Sequence, residues 1–267
     1  MIQVVVAGAA GRMGSRVVAL LKETEGVRLA AALERPGHPA LGRDAGELAG
    51  VGASGVPVTD DAGSALGADR VLVEFTTPAA SLEHLRLVAA GGGRAVIGTT
   101  GFEKAQLAEI EILARRVPIL LSPNMSVGVN LAFRLLAQMA GVLGEEYDVE
   151  ITEIHHRGKK DAPSGTALRM AEVIAQALGR DLGKVAVHGR QGMPGERTRS
   201  EIGIQALRAG DVVGEHTVVF GGLGERLELT HRAHSRDTFA RGALRAVRFI
   251  AAAAPGLYSM QDVLGLK

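Results

Sequence analysis

Apolar residues come in short, dense runs through the first half of the chain. Ile2 to Ala7, Val27 to Leu33, Val71 to Phe75, Arg94 to Ile97 and Val117 to Leu121 each read as a buried parallel strand. Between them the period lengthens to that of amphipathic helices: after Gly14, over about Ala79 to Ala90, and over Glu103 to Arg115. Strand alternating with helix predicts an α/β fold whose N-terminal domain is a Rossmann-type parallel sheet. Gly37 to Gly55, with a short element over Asp44 to Leu48, reads as a surface excursion. Val127 to Leu143 is a long apolar helix.

After Gly144 the pattern changes. Tyr147 to His155 alternates, Ala167 to Leu178 is helical, and Ile202 to Leu207, Glu215 to Phe220 and Glu225 to Thr230 alternate again. Gly221-Gly222-Leu223-Gly224 has the composition of a hairpin connection. These features predict a second, α+β domain built on a mixed or antiparallel sheet. A tail helix over Thr238 to Ala254 is expected to return to the first domain. The expected division is 1–126 plus 236–267, and 127–235, with crossings near Ser126-Val127-Gly128 and Ser235-Arg236.

The first strand runs into Gly8-Ala9-Ala10-Gly11-Arg12-Met13-Gly14 and then a helix. Strand, glycine turn and helix together form a dinucleotide fingerprint, in which backbone approaches a pyrophosphate at the helix N-terminus. Ala10 stands where the commoner spacing has its second glycine. Glu34, which closes the second strand, lies 20 residues after Gly14, the distance of the acidic residue that bonds ribose hydroxyls. Arg35 beside it is placed to meet a 2′-phosphate, so use of either NADH or NADPH is expected. Gly98-Thr99-Thr100 lets backbone come close to such a cofactor. The strands end in Gly8, Glu34, Thr76, Gly98 and Ser122, and these ends form one candidate cleft.

A different chemistry sits in Glu153-Ile154-His155-His156-Arg157-Gly158-Lys159-Lys160-Asp161-Ala162-Pro163-Ser164-Gly165-Thr166. Histidines exchange protons near neutral pH, and lysine can release a proton where arginine cannot. The chain has 24 Arg and only 6 Lys, and two of the six are adjacent here. Pro163-Ser164-Gly165-Thr166 reads as a helix start, where free N–H groups attract anions. The combination suits an acidic substrate that must be protonated.

Composition narrows the picture. A net charge of +1 gives no nucleic-acid or membrane footprint. The absence of cysteine excludes disulfides, thiolate catalysis and Cys-based zinc sites. No run is seen to approach the roughly 20 apolar residues of a membrane span. The first residues lack the basic flank of a signal peptide, so a cytoplasmic protein is expected. His216, His231 and His234 are read as polar positions at sheet ends, and no metal is predicted.

The glycine turn, Gly98-Thr99-Thr100-Gly101-Phe102, Asn124 with Ser126-Val127-Gly128-Val129-Asn130, and above all the His155-His156 to Gly165-Thr166 stretch resemble the 4-hydroxy-tetrahydrodipicolinate (dihydrodipicolinate) reductase family. Gly210-Asp211-x-Val213-Gly214-Glu215-His216 and Gly224-Glu225-Arg226-Leu227-Glu228 extend the likeness. The resemblance implies reduction of a cyclic dicarboxylate with NADH or NADPH, in the diaminopimelate route to lysine. It implies His155 as proton donor and acceptor and Lys159 as proton donor. His156, Gly165 and Thr166 would hold substrate, the last two through backbone N–H groups and the Thr166 hydroxyl. Ser122, Pro123, Asn124 and Met125 would join Gly8, Ala9, Ala10, Gly11, Arg12, Met13, Glu34, Arg35, Gly98, Thr99 and Thr100 around the cofactor. A homotetramer assembled through the second domain's sheet is also implied. Met125 stands where many members carry an aromatic residue, and Thr77 where some carry Arg.

Two other readings share the first domain: an aspartate or homoserine dehydrogenase-like enzyme, and a nucleotide-sensing regulator. Neither needs the histidines and lysine at 155–159.

Overall fold

Along β1 (Ile2–Ala7) the side chains alternate between two apolar cores: Val4 and Val6 enter one, Val5 and Ala7 the other. That alternation marks a strand covered on both faces. The computed structural model describes residues 1–266. The chain divides into two compact units, Met1–Val127 with the segment from Arg236 onward, and Gly128–Ser235.

In the first unit β1 is followed by α1 (Gly14–Glu23), β2 (Val27–Leu33), α2 (Ala45–Leu48), β3 (Val58–Thr59), α3 (Ala62–Ala65), β4 (Arg70–Glu74), α4 (Pro78–Gly91), β5 (Arg94–Ile97), α5 (Lys104–Ala114) and β6 (Pro118–Leu121). All strands are parallel, in the order β3-β2-β1-β4-β5-β6. The order reverses between β1 and β4, which opens a crevice at their carboxyl ends. Helices α3, α4 and α5 cover one face, packing Leu85, Val88 and Ile110 on Leu72 and Ile97. Each such buried side chain contributes roughly 1.5–3 kcal/mol.

The second unit comprises all but the first residue of α6 (Val127–Leu143), then β7 (Asp148–His155), α7 (Gly165–Ala177), α8 (Leu182–Val185), β8 (Ala186–Val187), β9 (Ile202–Arg208), β10 (Gly214–Gly221) and β11 (Arg226–Ala233). Its sheet has the order β11-β10-β7-β9-β8. The sheet is mixed: β10 runs antiparallel to β7 and β11, whereas β7, β9 and β8 are parallel. The chain passes through α7 between β7 and β9, a crossover long enough to return it in the same direction. Val149, Ile151, Ile204, Val218 and Phe220 face α6 and α7.

Three expectations need correction. The tail helix α9 (Asp237–Ile250) stops short of Ala254 because the chain turns into β12 (Gly256–Tyr258), which pairs with β6 as a seventh strand, before α10 (Met260–Leu264). α9 packs with α1 on the other face of the first sheet, and Arg16 reaches Asp237 with two hydrogen bonds of 2.7 and 2.8 Å. Gly37 to Gly55 is more than a surface excursion. It buries Ala40 and Ala45 and leads into edge strand β3, with the Asp44 carboxylate accepting backbone N–H groups of Gly46, Glu47, Ser54 and Gly55. Finally, among the described residues one helix is long and apolar enough to cross a membrane by length and composition: α6 with its 3₁₀ extension, Val127–Glu146, at a mean hydropathy of 1.4. Its stripe of Val129, Ala132, Phe133, Leu136 and Ala140, spaced by three or four residues, packs into the second unit's core.

Candidate active site

The crevice of the first unit is shaped by β1 running out into Gly8, whose φ of +69° turns the chain where a side chain would be strained. α1 then starts at Gly14 without a side-chain cap on its first turn, and the Ser15 N–H donates to the Gly11 carbonyl at 3.0 Å. Glu34 Oε1 accepts the N–H of Ala10 at 3.0 Å. The backbone of Ala10 is thus turned toward the acidic residue. A cavity of about 680 Å³ is bordered by Gly8, Gly11, Glu34, Arg35, Thr76 and His84. A second, of about 260 Å³, is bordered by Met13, Gly98, Pro123, Asn124, Met125 and Phe239. Phe75 lines both.

The predicted cofactor residues therefore gather at the carboxyl ends of the parallel strands. Their side chains differ in availability. Thr99 is buried, and its Oγ1 accepts from the Thr76 N–H at 3.1 Å and from Ser81 Oγ at 2.8 Å, so its side chain is engaged within the protein. Ser122 is buried and donates to the Asn124 carbonyl at 2.9 Å, and Asn124 Oδ1 accepts from the Ser126 N–H at 2.8 Å. Met125 is buried with the core residues of α9. Arg12, Arg35 and Thr100 are exposed.

Beneath the larger cavity lies a polar pair that the sequence reading passed over. Glu74, fully buried at the end of β4, accepts from Thr76 Oγ1 and lies 2.7 Å from His84 Nδ1. Burial depresses the pKa of His84, but the hydrogen bond and charge of Glu74 outweigh it and hold the imidazole above its ordinary value.

In the second unit, β7 ends at His155 and α7 begins at Gly165, so the intervening loop carries the lysines between a strand end and a helix N-terminus. Ser164 caps α7, its Oγ accepting from the Ala167 N–H at 3.1 Å. The backbone ladder of the helix begins with Leu168 donating to the Ser164 carbonyl. Gly165 and Thr166 thus form the first turn, and space beside Gly165 is open.

His155 Nδ1 lies 2.6 Å from Glu153 Oε2, on a carboxylate with no exposure. Burial holds the pKa of His155 below its ordinary value; Glu153 offsets part of this, and the charges of Lys159 and Arg208 add to the depression. Lys159 Nζ is 2.9 Å from both carboxylate oxygens of Asp161, a residue mostly in solvent. That ion pair holds Asp161 below the usual carboxylate range. His156 is half-buried just beyond the strand.

Three residues of this site were given no part in it by the sequence. Glu153 and Arg208 are joined at 2.9 Å. His216, read as a sheet-end polar residue, is instead buried: its Nε2 lies 3.0 Å from Ser164 Oγ and its ring stands edge-on to His155 at 5.2 Å. Burial pushes the pKa of His216 down to about 3. The register of β7, β9 and β10 puts Glu153 beside Ala206 and His216, and His155 beside Arg208. Glutamate in an alternating strand would have drawn attention only if its core-facing parity with Val149 and Ile151 had been followed through. Among the described residues no group of three or more His, Asp or Glu forms a metal cluster.

Comparison with known proteins agrees with this geometry. A family profile described as "Dihydrodipicolinate reductase, N-terminus" matches residues 2–125, and one described as "Dihydrodipicolinate reductase, C-terminus" matches residues 128–264. The chain is 56% identical to the 4-hydroxy-tetrahydrodipicolinate reductase of Citrifermentans bemidjiense and 54% to that of Geobacter sulfurreducens, in each case over 100% of both chains. Among solved structures it is similar to a dipicolinate-bound dihydrodipicolinate reductase from a Paenisporosarcina species, with a TM-score of 0.76, 27% identity and 98% of each chain covered. A glycine turn at the end of a strand in a reversing parallel sheet, an imidazole held by a buried carboxylate beside a helix N-terminus, and matches running from residue 2 to residue 264 all point one way: this chain belongs to the dihydrodipicolinate reductase family.

Proposed function

We propose that this chain reduces 4-hydroxy-tetrahydrodipicolinate to tetrahydrodipicolinate, in the diaminopimelate route to lysine. The observation that carries the reading is the junction of β7 and α7. There His155 is anchored through Nδ1, with Lys159 in the loop that leads to a helix N-terminus able to receive a carboxylate.

The first unit fits a nicotinamide dinucleotide, since the glycine turn brings bare backbone to the start of α1 and Glu34 closes the same cavity. When bound, that cofactor supplies a hydride. The backbone of Gly8, Ala9, Ala10, Gly11, Arg12 and Met13 would receive the pyrophosphate. One oxygen of Glu34 holds Ala10, and the other would accept from ribose hydroxyls. Arg35 would meet a 2′-phosphate, which makes NADH and NADPH both usable. Gly98, Thr99 and Thr100 would contribute backbone, and Ser122, Pro123, Asn124 and Met125 would border the reacting end.

In the second unit, the N–H groups of Gly165 and Thr166, the Thr166 hydroxyl and His156 would hold the substrate carboxylates. His155 would exchange a proton at Nε2, since Nδ1 is taken by Glu153. Lys159 would donate from Nζ. A positioned acid contributes about 10²–10⁴-fold in rate. A cytoplasmic homotetramer is the assembly this reading implies; half-exposed Thr152, Thr217 and Val219 on the sheet face turned away from α6 and α7 support a contact there.

The test is oxidation of each reduced nicotinamide on addition of dihydrodipicolinate generated in situ. Turnover is expected with both. Turnover with aspartate semialdehyde or oxaloacetate plus ammonia, and none with dihydrodipicolinate, would replace this reading with that of an aspartate or homoserine dehydrogenase-like enzyme.

A further inference from the structure

Glu153 occupies a position where chain physics favours an apolar residue. It shares its face of β7 with Val149 and Ile151, packs among α7, β9 and β10, and has no exposure. A carboxylate taken out of water is unfavourable by several kcal/mol unless donors surround it. Here three do, from three different elements. His155 Nδ1 lies at 2.6 Å and Arg208 Nη1 at 2.9 Å from Oε2, while the Ser164 N–H lies at 3.0 Å from Oε1.

We propose that Glu153 is a positioning residue: it fixes the proton-exchanging nitrogen of His155 as Nε2 and ties that ring to the N-terminal turn of α7. The inference rests on the reading of His155 as the proton-exchanging group. Neutral imidazole carries one N–H, and donation of Nδ1–H to Glu153 leaves Nε2 as the open nitrogen. Gly214 on β10 keeps that side clear, since a Cβ there would stand 2.9 Å from Nε2. The other carboxylate oxygen grips Ser164, the residue immediately before Gly165 and Thr166. One rigid side chain therefore sets the distance between the proton and the anion cradle. Arg208 completes the arrangement by balancing the buried charge and donating to the Asp161 carbonyl at 2.6 Å, which steadies the loop carrying Lys159.

The charged and titratable groups facing His155 are Glu153 on its own strand, Lys159 in the following loop, Arg208 on β9 and His216 on β10. Of these only Glu153 favours the imidazolium. Removing the carboxylate and removing the guanidinium must therefore move the titration of His155 in opposite directions.

The experiment is NMR titration of the His155 ring in the full-length protein, assigned by difference with His155→Asn, alongside the pH profile of kcat/KM. Glu153→Gln is expected to lower the His155 midpoint and Arg208→Met to raise it, each by about one pH unit. At neutral pH, Glu153→Gln should lose at least tenfold in kcat with KM for the reduced nicotinamide unchanged. Midpoints that stay at the wild-type value, or that move the same way in both variants, overturn the proposal. If Glu153→Gln does not fold, Arg208→Met alone decides. NMR midpoints that separate as expected while the rate profile stays put would uphold the positioning role and remove His155 from the proton step.

Discussion

A Cβ added to Gly14 would stand 2.0 Å from the carbonyl oxygen of Gly8. The first turn of α1 and the end of β1 are therefore in backbone contact, and the third glycine of the turn is a packing requirement rather than a conformational one. Gly14→Ala must push the helix off the strand. It is expected to lower stability by about 1–3 kcal/mol, the range for forced overpacking, and to weaken nicotinamide binding. Urea midpoints and cofactor titration measure both; a variant with wild-type midpoint would contradict the close packing.

Arg35 is exposed at the rim of the larger cavity, next to Glu34. Its guanidinium is free to meet a 2′-phosphate, and a hydrogen bond to a charged group contributes about 1.5–3 kcal/mol. Arg35→Ala should therefore raise KM for NADPH by roughly 10- to 100-fold and leave that for NADH nearly unchanged. Equal losses for the two would assign Arg35 some other role.

Lys159 has its Nζ near a solvent-facing carboxylate rather than locked in the core. As proton donor it should matter to the chemical step and not to the cofactor. Lys159→Ala is expected to reduce kcat by about 10²–10⁴-fold, with an unchanged dissociation constant for NADH measured by fluorescence. An undiminished kcat would exclude the lysine from the reaction.

His216 links the site to stability through pH. Its folded-state pKa is pushed down to about 3, below the ordinary value of 6.5, so the unfolded chain binds the proton first as pH falls. The neutral histidine's contribution is fully present above 6.5 and is lost progressively below it. Between pH 6.5 and 5, before most carboxylates titrate, the slope should approach about 1.4 kcal/mol per pH unit for this one residue. His155 and His231, also depressed by burial, act in the same sense. His216→Gln, which keeps a hydrogen-bonding group for Ser164, should flatten the stability curve in that window. A variant whose curve parallels wild type would show that folding does not hold His216 below its ordinary value.

Gly98 lies under Phe75, where a Cβ would stand 2.1 Å from a ring carbon. Because Phe75 borders both cavities, Gly98→Ala should tilt the ring and disturb both ends of the cofactor site. The expected outcome is a tenfold or greater rise in KM for NADH and NADPH alike, in contrast to the selective effect at Arg35. An unchanged KM would show that the ring has room to move aside.

The linear chain determined whatever depends on neighbours a few residues apart. Parallel strands buried on both faces are continuously apolar, and helices between them carry a different period, so five strands of the first sheet and the start of α6 at Val127 were legible to within about two residues. The glycine turn, the acidic residue 20 positions later, and the histidines and lysines before a capped helix were legible for the same reason: each is a local arrangement of residue types. Tertiary structure decided what depends on strands coming side by side. Nothing local announces β12, three residues that become a strand only because β6 offers an open edge. Nor does any local pattern say that β9 runs parallel to β7, which is what brings Arg208 to Glu153, or that β10 delivers His216 to Ser164 and Gly214 to the open nitrogen of His155. Residue types state which chemistry a chain can perform; sheet register, fixed by core packing across distant segments, selects which of those residues meet.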